Sequence, residues 1–183
     1  MTSNPVSTYS PTATYLAFEV AINRIDALIT TADTFHLQLY YSNVVGAMEK
    51  YLYDLYVGEI EACDTAFNLM CELPKFSVQK FPLKQIFNQN IKDIVINSVK
   101  NIVWHRINDL DPMFKKTFGI KMNISQKLKN KLATRHHFVH RNGFDLHGNV
   151  VSLTLQDVQD AIVVIKDFVI DIDKKFHTYF QSK

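Results

Sequence analysis

From Leu155 to Tyr179 an apolar residue returns every three or four positions: Leu155, Val158, Ile162, Ile165, Val169, Ile172, Phe176 and Tyr179. A stripe of about seven turns is one face of a long helix, and it is not stable in water without helical partners to cover it. Val163, Val164, Phe168 and Ile170 fall outside the stripe, so this helix is apolar on more than one face. One face is expected to serve the core and another to meet a second subunit. Thr154 is placed to cap the helix, with Asp157 completing a variant of the capping box.

Shorter stripes precede it. Phe18, Ala21, Ile25 and Leu28 predict one helix. Leu37, Tyr41, Val44, Met48, Leu52 and Leu55 predict a second, with Gly58 near its end. A third helix is expected over 59–72, closed by Pro74, and another over 91–106, before Asp109-Leu110-Asp111-Pro112 breaks the pattern. Residues 75–89 read as loop with a short helical turn. Ser125 is the expected N-cap of a helix reaching Asn142, and Gly143 is its left-handed terminator. Around Gly148-Asn149, alternating apolar residues predict a small β-hairpin or an extended loop. The Ser, Thr, Asn and Pro-rich residues 1–11 read as a flexible tail. The expectation is therefore a single all-α domain over 12–183. It is read as an antiparallel bundle of four to five helices, with a short hairpin or extended loop before the last.

Composition narrows the function classes. With 47% hydrophobic and 21% charged residues, most of the chain cannot be natively disordered. No apolar run approaches the roughly 20 residues that cross a bilayer, and the polar first fifteen residues do not read as a secretory leader. Cys63 and Cys71 lack Cys-x-x-Cys spacing, and on one helix they would lie about 12 Å apart, too far to bridge. A cytoplasmic setting, without a membrane partner, is the expectation.

Charge is unevenly spread. Pro112 to Phe144 holds eight basic residues (Lys115, Lys116, Lys121, Lys127, Lys129, Lys131, Arg135 and Arg141) and no Asp or Glu, whereas the rest holds 12 basic and 18 acidic residues. A positive segment on a mildly acidic body attracts polyanions. Its C-terminal end is Arg135-His136-His137-Phe138-Val139-His140-Arg141-Asn142-Gly143. Leu128, Leu132 and Val139 mark the inward face of this helix, and Arg135 falls on it. A guanidinium there requires a carboxylate or a polar cleft, and Glu49, on the inner part of the second stripe, is a possible partner. His136 and His140, four apart, could share a metal ion, but the metalloprotease pattern needs Glu at the position of His137. Metal-free phosphodiester cleavage fits these residue types better. Histidine moves protons near neutral pH, and a fixed arginine holds charge developing on phosphorus. Arg135 and His140 lie about 140° apart around a straight helix, so they meet through the long arginine side chain, a bend, or a second copy.

The string from Arg135 to Gly143 contains Arg-x4-His, followed by the Gly148-Asn149 loop and an amphipathic last helix. With Glu49-Lys50-Tyr51-Leu52, it resembles the HEPN superfamily, and most closely its RiboL-PSP-HEPN-like branch, over about residues 15–179. The resemblance implies a helical homodimer with its site at the interface, and a ribonuclease that needs no metal or other cofactor. Cleavage would leave 2′,3′-cyclic phosphate and 5′-hydroxyl ends, in a toxin–antitoxin or antiviral role with an antitoxin or regulatory partner. Non-catalytic members bind RNA or scaffold. Carried onto this chain, Arg135 and His140 are the expected catalytic residues, with His136 beside them. Lys127, Lys129, Lys131, Arg141 and Asn142 are expected to bind RNA. His137 is an additional histidine, and Asn142 stands where one subgroup carries Tyr.

Overall fold

The computed structural model describes residues 8–30 and 32–183. These form nine helices: α1 (Ala13–Ile29), α2 (Thr34–Ala62), α3 (Asp64–Cys71), α4 (Pro74–Ser77), α5 (Leu83–Asn88), α6 (Ile91–Lys100), α7 (Ile107–Phe118), α8 (Gln126–Arg141) and α9 (Leu155–Gln181). The described residues contain no β-strand; one antiparallel bridge, Phe144 to Val150, closes the loop before α9. No helix among them is long and apolar enough to cross a membrane.

The 29-residue α2, about 43 Å long, lies at the centre, in contact with α1, α3, α6, α8 and α9. Val44, Val45, Met48, Leu52 and Tyr56 along it are fully buried, so it is apolar nearly all round, as a central helix must be. In α9 most of the expected stripe is buried, but so is Phe168, and Val164 and Ile170 also pack against the core. Much of the second apolar face is therefore covered by the chain itself; Val163 remains exposed.

Local signals set the helix ends. Ser125 Oγ accepts from the Leu128 backbone N–H, and Thr154 with Asp157 makes both bonds of the capping box. Asn142 (φ 51°) and Gly143 (φ 87°) turn the chain left-handed after α8. Three boundaries differ from the periodic reading. Gly58 lies inside α2, which runs on to Ala62, so the helix expected over 59–72 shortens to α3. The helix expected over 91–106 ends at Lys100. Asp109 to Pro112 lies within α7: Pro112 is its sixth residue, and the one carbonyl that loses its helical donor belongs to exposed Asn108. Residues 75–89 contain the short α4 and α5.

Of the residues read as a tail, 1–7 lie outside the described residues, and Tyr9 is tied down. Its hydroxyl donates to Asp173 Oδ2 (2.8 Å), which also accepts from the Thr12 N–H (3.1 Å). Oδ1 accepts from Thr12 Oγ1 (2.6 Å) and Tyr51 Oη (2.9 Å). Asp173 is fully buried, and these four bonds join the start of α1 to α2 and α9. Asp173→Ala orphans donors on three residues and should cost about 3–5 kcal/mol in urea unfolding. A loss below about 1 kcal/mol would show that the network is not holding α1.

A cleft between α2 and α8

α8 is lightly held. Leu128 is its only fully buried residue, while Leu132 and Phe138 pack at the edge of the core. Tyr41 fastens the helix twice: its ring meets Phe138 edge-on at 5.7 Å, and its hydroxyl donates to the Lys131 carbonyl (3.0 Å). Val139, expected inward, is 46% exposed. At its level the inner side of α8 overlooks a cleft of about 450 Å³ rather than the core.

Glu49, Lys50 and Tyr53 line that cleft from α2, one helical turn bringing Glu49 and Tyr53 to the same face. Arg135, Val139 and His140 line it from α8, and Ile102 to His105, the link between α6 and α7, closes the end. Arg135 and His140, five residues apart, thus share one hollow within one chain. Glu49 joins two of these groups. Its Oε2 accepts from Arg135 Nη2 (3.2 Å), and its Oε1 pairs with His105 Nδ1. Arg135 Nη1 lies 3.0 Å from the same imidazole nitrogen. Glu49, foreseen as the partner of an inward arginine, is therefore in contact with it.

Two residues that border the cleft also carry buried donors. Arg135 Nε and Trp104 Nε1 are the buried side-chain polar atoms without a hydrogen-bond partner among the described residues, and both residues line it. Trp104 is wedged edge-on against Tyr53 (5.5 Å between ring centres), which Lys50 approaches to 5.9 Å. Cations and aromatic rings in one hollow suit a ligand that is anionic and carries flat rings.

The remaining expected residues are dispersed. His136 is exposed; its ring centre lies 4.7 Å from that of His140, but it does not line the cleft. Loss of hydration, then the charge of Arg141, holds its pKa below the ordinary histidine value. Arg141 Nη1 lies 3.3 Å from His137 Nδ1. Asn142 is the exposed cap of α8. Lys127 and Lys131 face α9 across a different hollow, with Thr134 and Val163. Lys129 borders a third with Asn108 and Asp109. Among the described residues, only Lys116 and Arg135 of the eight cations in this segment form ion pairs, with Glu72 and Glu49. No three His, Cys, Asp or Glu side chains among the described residues are grouped to share a metal ion.

Tyr53 and the link from Ile102 to His105 are cleft residues that sequence reasoning missed, and His105 is the titratable one in contact with Glu49 and Arg135. It stands alone in the sequence, 56 residues from Glu49 and 30 from Arg135, and only the fold joins them. Comparison of the chain with family models, curated proteins and solved structures yields no match.

Proposed function

We propose that the chain is a metal-independent endoribonuclease of the HEPN type, its four long helices α1, α2, α8 and α9 forming an antiparallel bundle. The observation that carries this reading is that Arg135 and His140 line one cleft. Arginine and histidine so gathered suit transfer within an RNA strand. The ribose 2′-hydroxyl attacks the adjacent phosphorus, the guanidinium offsets charge growing on the phosphoryl oxygens, and an imidazole moves a proton. Unpaired lysines along α8 supply sequence-independent attraction to the RNA backbone. Exposed Val139, Phe144, Leu146 and Val150 form apolar surface around the end of α8 that a second copy would cover, extending the cleft across a homodimer.

A non-catalytic RNA-binding role is favoured by one feature: Arg135 is already paired with Glu49, as a structural arginine would be. Cleavage of single-stranded RNA in EDTA separates the readings. Arg135→Ala and His140→Ala should each slow cleavage about 100-fold or more, with circular dichroism unchanged. Wild-type binding without cleavage would support the non-catalytic role, and cleavage unaffected by both substitutions would exclude this cleft.

A further inference from the structure

We propose that His105 is a second catalytic histidine, the base of the reaction, held by Glu49 and paired with His140 as the acid in the cleft of a single protomer; this rests on the ribonuclease reading above.

The chemistry follows from a single nitrogen. Neutral imidazole has one N–H and one lone pair. His105 Nδ1 faces both a Glu49 carboxylate oxygen and an Arg135 N–H, and it cannot donate to the first while accepting from the second. A lone pair turned on a carboxylate oxygen is repelled, so Nδ1 carries the proton and donates it to Oε1. Arg135 Nη2 donates to Oε2 of the same carboxylate, and Nη1, 3.0 Å from Nδ1, is left in contact with the imidazole, where the negative carboxylate outcompetes it for the Nδ1 proton. The lone pair is then on Nε2, which makes no hydrogen bond among the described residues and is not among the buried unpaired atoms. A nucleophile's base oriented by a carboxylate on its far nitrogen is a recurrent arrangement in catalysis. His105 borders this cleft and the hollow beside Lys129, so its ring is open to a ligand on either side.

In the proposed step, Nε2 of His105 takes the 2′-hydroxyl proton as the oxygen bonds to phosphorus. The bond from phosphorus to the 5′-oxygen breaks, and that oxygen takes a proton from the His140 imidazolium. The products are a cyclic phosphate and a 5′-hydroxyl, and exchange with water resets both rings. The charged and titratable groups around His105 are Glu49, Lys50 and Tyr53 from α2, Lys129, Arg135, His136 and His140 from α8, and the flanking Arg106 and Asp109.

The test combines two readouts on the full chain. In the RNA-free wild type, 15N chemical shifts at pH 8 should report the Nδ1–H tautomer of His105; an Nε2–H tautomer overturns the proposal, whatever the protein does to RNA. In cleavage assays kcat/KM should follow a bell in pH. His105→Gln, whose amide can still reach Glu49 but cannot titrate, should lose about 100-fold and the acidic limb, whereas His140→Gln loses the alkaline limb. Free imidazole should partly restore His105→Ala. Full activity and an unchanged profile in His105→Gln, with Arg135→Ala and His140→Ala inactive, overturn this proposal alone. A wild type that cleaves no RNA overturns the ribonuclease reading, and the catalytic role of His105 with it.

Discussion

Helix content should collapse between about pH 10 and pH 12, in step with ionisation of buried tyrosines. Tyr41, Tyr51 and Tyr56 are at most 1% exposed, and their hydroxyls are engaged with the Lys131 carbonyl, Asp173 and Thr117. Burial is the main force holding each phenol protonated far above its usual value of 10, and the Asp173 carboxylate adds to it at Tyr51. Because the folded-state pKa is raised, this contribution to stability is complete below pH 10. It is lost above pH 10, where the unfolded chain releases protons that the folded chain keeps. Three such groups remove about 4 kcal/mol per pH unit. Two units therefore remove about 8 kcal/mol, comparable with the whole stability of an ordinary domain. Tyr15, pushed up to about 12 by burial and then its bond to Glu19, and Tyr9 and Tyr179, raised by burial first, act in the same direction. Absorbance at 295 nm and far-ultraviolet circular dichroism should change together. Phenols that all titrate near pH 10 with the helices intact would contradict this burial.

What the sequence made legible divides along a physical line. Ser125, Thr154 with Asp157, and Gly143 were readable because capping bonds join residues three or four apart, and left-handed backbone selects glycine. The stripe of α9 was readable because water forbids its exposure, but which faces it buries was not. Phe168 lies against the chain's own core, a matter of how the other helices stack. Glu49 could be foreseen because an inward guanidinium demands a carboxylate. Val139 was misplaced inward because periodicity marks a face without saying whether core or cleft lies opposite. His105 could not be seen at all: nothing local distinguishes it, and its meaning comes from a carboxylate 56 residues earlier. Pro112 misled for another reason: it lies inside α7, where the single helical bond it removes would have gone to the carbonyl of exposed Asn108.

The Glu49–Arg135 pair yields the sharpest measure of this cleft. Both side chains are largely covered, 20% and 16% exposed, so Arg135 loses much of its hydration on folding and recovers it chiefly through Glu49. Glu49→Ala should destabilise the chain by about 2–4 kcal/mol, below the 3–5 of a fully buried pair because one side opens to the cleft. Glu49→Gln, which keeps an acceptor but loses the charge, should cost less. The decisive comparison is Glu49→Ala in an Arg135→Ala background. With no guanidinium left to strand, most of that penalty should vanish, leaving a coupling of about 1.5 kcal/mol or more between the sites in urea unfolding. Additivity within about 0.5 kcal/mol would mean that the two groups do not depend on each other. Chemistry is read on the arginine alone, because Glu49 also holds His105. Arg135→Lys keeps a cation for Glu49 but loses the planar fork, so it should hold most of the stability and still cleave RNA far more slowly than the wild type. Full cleavage by Arg135→Lys would mean that a charge beside Glu49 is all the site asks of this residue.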